Sequence, residues 1–495
     1  MRKKLLTLSK SNALIFKVDT TKAGISDSYS FRIPTIGGGY NYTVDWGDGF
    51  VNTGVTGNIT HTYSTQGIKI IKITGVFPRF YFANSGDKLK LLNIINWGNI
   101  TYSTVQNYAF WGCTNLTSIA YGEWLNTITN GDSMFYACAS LTTLPSSITF
   151  ASLTNGSQMF RNCTSLTTLP SSITFANVTN GDAMFQNCTS LTTLPSSITF
   201  ASLTSGANMF NACTSLTTLP SSITFANVTN GDAMFQNCTL LTTLPSSITF
   251  ASLTSGVGMF YACASLTTLP SSITFASLTN GYYMFYVCTS LTTLPSSITF
   301  ANVTNGESMF RDCTSLTTLP SSITFASLTN GANMFRNCTS LTTLPSSITF
   351  ASLTNGAYMF NACTSLTTLP NSITFANVTN GSFMFFACAS LTTLPSSITF
   401  ASLTNGVAMF YACASLTTLP SSITFASLTN GYAMFSSIIN KSNYSQLLIN
   451  IASYNTNNNV TFNGGGSKYN TAGQTARNQL TGVQGWVITD GGYEP

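Results

Sequence analysis

Two groups of residues have side chains and spacing that suggest chemistry. Thirteen cysteines form one series in steps of 25 residues, from Cys113 to Cys413. The single histidine, His61, follows the segment DWGDG, which contributes the carboxylates of Asp45 and Asp48. Cysteine and histidine are usual zinc ligands, whereas carboxylates hold calcium or act as general acids and bases. These residues are therefore the first candidates for a metal centre or a catalytic group.

The spacing argues against both kinds of site. An odd number of cysteines without a C-x-x-C pair fits neither a disulfide framework nor a zinc site, so we interpret the series as a column of small buried thiols. Asp45 and Asp48 are interpreted as turn residues, and His61 as a structural residue. The sequence therefore predicts no metal, no cofactor and no enzymatic activity. A polysaccharide-degrading enzyme is the less favoured alternative, because the acidic residues of the repeated region are isolated.

The 25-residue period also governs other residue types. Thirteen of the 14 methionines form a series from Met134 to Met434, and prolines recur from Pro145 to Pro420. Such self-similarity is typical of a solenoid, in which each coil buries its apolar face on its neighbours. The predicted domains are an N-terminal segment (1–15), a β-sandwich (16–83), an N-terminal solenoid cap (84–108), a solenoid of 13 coils (109–433) and a C-terminal cap (434–495).

Each coil contains two different patterns. In NGDAMFQNCTSL, the apolar residues Met184, Phe185, Cys188 and Leu191 fall within one arc of a helical wheel, which predicts a short helix. The following LTTLPSSITF predicts a strand, with a proline at its end or at a corner. TNG then predicts a turn before the next helix, because Asn and Gly tolerate positive φ. The predicted fold class is therefore an α/β repeat solenoid with one short helix and one strand per coil.

The repeated motif MFxxCTSLTTLPSSITF…VTNG resembles the BspA-like leucine-rich repeats of bacterial surface proteins. The likeness covers residues 109 to about 437. The resemblance implies a leucine-rich-repeat solenoid. It also implies a non-enzymatic adhesion surface, because such repeats serve mainly as binding scaffolds.

The two ends carry different patterns. Alternating segments with WGDG and HTY resemble a PKD-type immunoglobulin-like sandwich, and such modules act as spacers or docking pieces. Residues 1–83 are therefore predicted to contact other structural proteins, with anchoring through the opposite end as the alternative. Near the other end, residues 442–454 have helical spacing and are followed by strand, helix and strand patterns, which predicts a small α/β cap.

Both ends of the sequence bear on where the protein is located. The segment ARNQLTGVQGWVITDGG, residues 476–492, resembles the closing segment of tail-associated repeat proteins of phages that infect Bacteroidetes-type bacteria. Residues 1–15 have a basic cluster, but polar residues interrupt the apolar run that a secretory signal needs. A phage virion adhesin, such as a tail fibre protein, is therefore predicted. A bacterial cell-surface adhesin with the same repeats is the alternative.

The coils differ from one another mainly around the methionine. On the predicted helix these variable positions lie opposite the buried arc, which indicates exposure. They form either a diversified binding stripe or a set of drifting surface positions, and the sequence leaves both open. Aromatic and adaptable polar side chains suit a binding stripe. The candidate binding residues are Tyr136, Arg161, Gln186, Asn211, Gln236, Tyr261, Tyr282, Tyr283, Tyr286, Arg311, Arg336, Tyr358, Asn361, Phe386 and Tyr411.

Charge restricts the partners. Charged residues make up 6% of the chain, and the region from 134 to 433 has no lysine. Such a surface is a poor polyanion binder, so nucleic acid is not predicted as a partner. No apolar run reaches the length of a membrane span, so no membrane insertion is predicted. The predicted partners are a bacterial surface glycan or protein receptor and other virion proteins, with a homo-oligomer as a further option.

Overall fold

The computed structural model describes residues 11–495. The chain divides into two compact units, one ending at Val228 and the other running from Thr229 to Pro495. Only the last five residues of the predicted segment 1–15 are described. The prediction about a secretory signal concerns this segment and lies largely outside the described residues.

The first unit begins with β-strands that form two sheets. A six-stranded sheet has the order β4-β3-β6-β1-β7-β8, and a two-stranded sheet pairs β2 with β5. In the larger sheet, β1 pairs antiparallel with both β6 and β7, whereas β7 and β8 are parallel. The strands are β1 Leu14–Asp19, β2 Ser30–Ile33, β3 Asn41–Asp45, β4 Val51–Val55, β5 Ile59–Thr62, β6 Ile68–Val76, β7 Leu91–Asn96 and β8 Ser118–Ile119.

An aromatic core lies against the larger sheet. Alternate residues of β1 are buried, including Phe16, whose ring lies 5.3 Å from that of Phe80. Phe80 in turn lies 5.5 Å from Phe110, near the start of the first repeat. The sheet also extends past residue 83, because β7 lies in the segment 84–108. The strand region and the first coil therefore share one core.

The DWGDG segment forms turns. The Asp45 carboxylate accepts the N–H of Gly47 at 2.9 Å, and the Asp48 carboxylate accepts that of Phe50 at 3.2 Å. His61 stacks on Trp46 and its Nε2 lies 2.8 Å from Asp48 Oδ2. These contacts give both carboxylates and the histidine structural partners.

In each unit the 25-residue coils stack in parallel, which confirms the prediction of a repeat solenoid. Isolated bridges join equivalent residues of successive coils, such as Asn155 with Asn180 in the first unit and Asn305 with Asn330 in the second. Phenylalanines form columns with nearly parallel rings. Phe160 lies 5.6 Å from Phe185, and Phe285 lies 5.3 Å from Phe310.

The predicted helix in each coil is wrong. The segment around the methionine is a run of tight turns. Met159 N donates to Gly156 O at 3.1 Å within the coil, whereas Phe160 N donates to Met184 O of the next coil at 2.9 Å. A helix would use every one of these N–H groups internally. The apolar residues of the segment are nevertheless buried as predicted, with Met184 and Phe185 both fully covered.

The predicted strand is also wrong. LTTLPSSITF is irregular, with a turn in which Ile198 N donates to Pro195 O at 3.1 Å, so the proline does lie at a corner. The glycine of TNG does not have positive φ. It is required for space instead: a Cβ on Gly181 would lie 3.0 Å from Leu203 Cδ1 and 3.3 Å from Met209 Cε.

The thirteen cysteines are free and buried. Each thiol with a described partner faces a phenylalanine carbonyl of the preceding coil, as Cys163 Sγ donates to Phe135 O at 3.2 Å. In the second unit, Cys288 Sγ donates to Phe260 O at 3.1 Å. The thiol therefore serves as a small apolar group that also satisfies a carbonyl, in agreement with the predicted column.

The second unit ends in a three-stranded parallel sheet, order β11-β10-β9, with two helices that contact each other. Asparagine side chains of this region satisfy carbonyls of the last coil. Asn450 donates to Ser421 O and Ile423 O, and Asn455 to Phe425 O and Leu428 O, all at 2.8–3.0 Å. The elements are β9 Asn430–Phe435, α1 Lys441–Tyr454, β10 Thr461–Gly464, α2 Thr471–Gly482 and β11 Val487–Thr489.

The buried thiols make the free energy of unfolding decrease as the pH becomes alkaline. Burial raises the pKa of Cys163 and of Cys263 to about 12, from an ordinary value of 9.0. The unfolded chain therefore releases protons that the folded chain retains. The contribution of each thiol is complete below pH 9 and is lost as the pH rises towards 12, with a limiting slope of about 1.4 kcal/mol per pH unit for each thiol. Urea unfolding between pH 8 and 10.5 should show this decline.

A thiol reagent provides the matching control. At pH 8 the native protein should react far more slowly than the same protein in denaturant, because the reactive thiolate is absent and the sulfur is covered. Labelling of the native chain at the rate of free cysteine, or a free energy of unfolding that stays flat above pH 9, contradicts the buried column.

Candidate binding surface

The candidate residues lie on the turn segment that surrounds each methionine. The residue before the methionine has positive φ, for example Ala183 at 54°. The residue three after it also does, for example Asn187 at 60°. Because of these two left-handed residues, every second backbone N–H of the turn segment points towards the next coil. The geometry therefore repeats in every coil regardless of which side chain is present.

Most candidate side chains are half-buried, whereas the sequence indicated exposed positions. Equivalent residues of neighbouring coils are superposed, so each side chain covers part of the next one. Two candidates depart from this: Asn361 is buried at 7% exposure and Tyr411 is exposed at 42%. The half-buried candidates are Tyr136, Arg161, Gln186, Asn211, Gln236, Tyr261, Tyr282, Tyr283, Tyr286, Arg311, Arg336, Tyr358 and Phe386.

In the first unit, candidates stack in a short column. The rings of Trp111 and Tyr136 are parallel with centroids 5.3 Å apart. The guanidinium of Arg161 lies 5.2 Å from the Tyr136 centroid and donates to Gln158 at 3.0 Å. Stacked planar groups of this kind present their edges to solvent and keep their faces covered.

In the second unit, the structure brings together the tyrosines of two adjacent coils. Tyr261 and Tyr286 are stacked at 5.0 Å, and Arg311 lies 5.1 Å from the Tyr286 ring. Tyr283 lies 5.1 Å from Tyr286 and 3.9 Å from Tyr282. We call these five residues the tyrosine cluster.

A second aromatic group was missed in part by sequence reasoning. Tyr358 stacks on Phe383 at 4.7 Å, and Phe386 stacks on Tyr411 at 5.5 Å. Phe383 was not a candidate, although it occupies the same place before a methionine as Tyr283 and Tyr358. Comparison of the residues before each methionine would have found it.

Charges beside the tyrosine cluster are paired with polar groups of the next coil. Asn330 Nδ2 donates to Glu307 at 3.0 Å, and Asn337 Nδ2 donates to Asp312 at 2.6 Å. A hydrogen bond with Tyr283 is the main cause that raises the pKa of Tyr282 to about 12, with burial and the Glu307 charge acting in the same direction. The hydroxyl of Tyr282 is therefore neutral at physiological pH.

The constant threonines have a structural role. Thr192 donates to Thr167 O through both its N–H, at 3.2 Å, and its hydroxyl, at 3.4 Å. Thr179 does the same to Thr154 O, at 2.9 and 3.2 Å. These bonds between coils account for the constancy of the first threonine of each LTT pair and of the threonine of TNG. The contrast between constant and variable positions therefore does not by itself decide between a binding stripe and drift.

Within residues 11–495, no group of three His, Cys, Asp or Glu side chains is arranged to hold a metal ion. In the same part of the chain, no helix has both the length and the apolar character that a membrane crossing requires.

Comparisons with known proteins agree on the repeats. Residues 77–217 match the family described as BspA type leucine rich repeat region, in six copies. Residues 204–323 and 329–448 match the family described as Mycoplasma protein of unknown function, DUF285. No curated protein matches the chain.

Among solved structures, the chain is similar to one titled "Crystal structure of TLR13-ssRNA13 complex". The identity is 18% and the TM-score 0.26, over 70% of this chain and 47% of that one. The chain thus spans about half the length of that structure. Residues 77–217 of this protein therefore contain BspA-type leucine-rich repeats, which are typical of surface and binding proteins.

Proposed function

We propose that this chain is a non-enzymatic adhesin that presents the variable turn segments of its coils to a bacterial surface. The receptor is a surface glycan or protein. The carrier is a phage virion, in which the chain is a tail fibre or tail-associated protein. The phage assignment is supported by the resemblance of residues 476–492 to phage tail-associated proteins. Residues 1–83 would then contact other virion proteins.

The observation that carries the proposal is the backbone conformation of three aromatic residues. Tyr283, Tyr358 and Phe383 have φ of 57°, 59° and 57°. A bulky side chain in this left-handed region costs about 1–2 kcal/mol, and Gly or Asn is preferred there. Most equivalent positions hold small residues, such as Ala183, Asn208 and Gly258, although Tyr108 of the first coil is a fourth aromatic. Drift alone would favour such small residues, whereas bulky aromatics at this strained position support selection for a surface role.

The chemistry of the tyrosine cluster suits recognition. Tyrosine and arginine are the residues that most often carry binding energy at interfaces. Stacking on neighbouring coils holds these side chains in place before a ligand arrives, which lowers the entropy lost on binding. Tyr261, Tyr286 and Arg311 have this preorganised arrangement.

A bacterial cell-surface adhesin is the second candidate. It is favoured by the BspA-type repeats at residues 77–217, since these are typical of surface proteins. Mass spectrometry of purified phage particles and of washed host membranes distinguishes the two carriers. Peptides of this chain in the particles support the virion, and peptides found in the membrane fraction alone support the cell surface.

The strain argument predicts a small effect on stability for Tyr283→Asn. Relief of the left-handed backbone offsets the lost contacts with Tyr282 and Tyr286, so the free energy of unfolding should change by less than about 1 kcal/mol. The adjacent buried Phe285 is the matched control, and Phe285→Ala should lower it by about 3–5 kcal/mol. Urea unfolding of both variants measures the difference. A loss of the same size in both would show that Tyr283 is a core residue.

The binding role predicts that removal of the cluster abolishes attachment without unfolding the protein. The triple variant Tyr282→Ser, Tyr283→Ser, Tyr286→Ser should bind at least about tenfold less to cells that bind the native chain. The measurement is flow cytometry of labelled protein on intact cells from a panel of Bacteroidetes strains.

The constant side of the same coils provides the control. Thr268, Thr293 and Thr318 are exposed, and their simultaneous replacement by Ser should leave attachment unchanged. Full attachment by the tyrosine variant would remove the cluster from the binding surface. If both triple variants lose attachment equally, the cause is damage to the fold and not the loss of the tyrosine cluster.

A further inference from the structure

A cleft lies in the first unit, beside the end of β7 and a short 3-10 helix, Glu123–Thr127. Its volume is about 450 Å³, within the range of small-molecule sites. The walls combine asparagines with aromatic rings and one carboxylate. The residues that matter to the argument are Asn12, Asn96, Trp97, Tyr121, Glu123 and Trp124.

The floor of the cleft is rigid. Trp97 is 2% exposed, and its Nε1–H donates to Ala120 O at 2.7 Å. Asn96 Nδ2 donates to the carbonyls of Ser11 and Ala13 at 2.8 and 2.9 Å. These bonds tie the loop after β7 to the residues before β1. The site is therefore formed before any ligand arrives.

The aromatic wall has one exposed and one half-buried member. Tyr121 is 41% exposed at the rim. Trp124 packs edge-on against Trp97 at 4.9 Å and stacks on Tyr102 at 4.2 Å. A Cβ on Gly122 would lie 2.7 Å from Trp97 Cδ1 and 2.9 Å from Trp124 Nε1, so the glycine allows the indoles to approach the backbone.

The Trp124 indole N–H has no hydrogen-bond acceptor among residues 11–495, although it is buried. A buried donor without a partner costs about 1–3 kcal/mol. The atom lies beside Gly122, which itself lines the cleft. A ligand hydroxyl bound there would accept this hydrogen and recover that cost.

The charge of the cleft restricts the ligand. Glu123 is the one carboxylate in the described lining, and it is exposed. Its carboxylate has no ion-pair or hydrogen-bond partner within the described chain. It is therefore available to accept hydrogen bonds from the hydroxyl groups of a ligand. Among the described residues the lining has this carboxylate and no lysine or arginine, so it repels anions. The ligand is therefore neutral and rich in hydroxyl groups, with a C–H face that packs on an aromatic ring.

We infer that this cleft binds a neutral saccharide, with Tyr121 as the stacking platform and Glu123 and the Trp124 N–H as hydroxyl partners. The site lies wholly in the first unit and uses none of the tyrosine cluster. It stands on its own whether or not the proposed adhesin function holds.

Tryptophan fluorescence of the full chain tests the inference, because Trp97 and Trp124 report on the cleft. The neutral probes are glucose, galactose, methyl mannoside and N-acetylglucosamine with its dimer, and the anionic probes are glucuronic acid and N-acetylneuraminic acid. At least one neutral probe should give a saturable change at concentrations up to about 50 mM, and the anionic probes should give none.

Two rim variants then locate the site. Tyr121→Ala should weaken binding about 3–10-fold, and Glu123→Gln by about tenfold or more. Both residues are exposed, so the variants should keep the native unfolding transition. Tyr432→Ala, at a 62% exposed tyrosine of the other unit, is the matched control and should bind normally. The triple variant of the tyrosine cluster should also bind normally, which separates this site from the proposed attachment surface.

Three results overturn the inference. They are the absence of a saturable change with every neutral probe, equal binding of neutral and anionic probes, and undiminished binding by both rim variants.

Discussion

Backbone hydrogen bonds between neighbouring coils are the interaction on which the rest of the structure depends. In the turn segment, alternate N–H groups close turns within the coil, and the others reach the next coil. Phe285 N donates to Met309 O at 2.8 Å, and Val287 N donates to Arg311 O at 3.0 Å. Because an isolated coil leaves these groups unpaired, it cannot be stable alone. The constraint accounts for the near-identity of the repeats, since a change in the path of one coil disturbs both neighbours.

The same stacking determines which side chains fit inside. Equivalent residues lie directly above one another, so flat rings form parallel columns, such as Phe335 and Phe360 at 5.5 Å. Cysteine is small enough for its column, and its thiol adds a hydrogen bond to a phenylalanine carbonyl, as Cys363 Sγ donates to Phe335 O at 3.1 Å. Valine would fill the space but lose this thiol bond, and the carbonyl would keep only the N–H of Cys338, at 3.1 Å. The cysteine series is therefore explained by packing and hydrogen bonding, without metal or disulfide chemistry.

The stacking of equivalent residues in successive coils also determines how the variable side chains are arranged. A tyrosine or arginine after the methionine meets its equivalent in the next coil, which turns a row of separate side chains into a preorganised stack. The left-handed residue before the methionine adds aromatic groups such as Tyr283 at a cost in backbone energy. The stack and the strain together make the tyrosine cluster the strongest candidate for recognition. Its half-buried state is what allows it to be rigid.

The repeat period, the burial of Met184, Phe185 and Cys188, and the corner at Pro195 could all be predicted from the sequence, because they depend on residue type and spacing. The local conformation could not. Four apolar residues at positions 0, 1, 4 and 7 lie on one side of a helix, and they also lie on one side of a run of alternating turns. Only the neighbouring coil, which accepts every second N–H, decides between them.

The candidate surface shows the same division. The sequence alone determined which positions vary and that tyrosines gather near residue 283. Only the tertiary structure decided that these side chains are stacked and half-buried, that Phe383 belongs with them, and that the constant threonines bond to the preceding coil. The cleft beside Trp124 joins residues more than 100 positions apart, such as Asn12 and Glu123. No local pattern predicts such a site, because the sheet pairing of β1 with β7 brings its walls together.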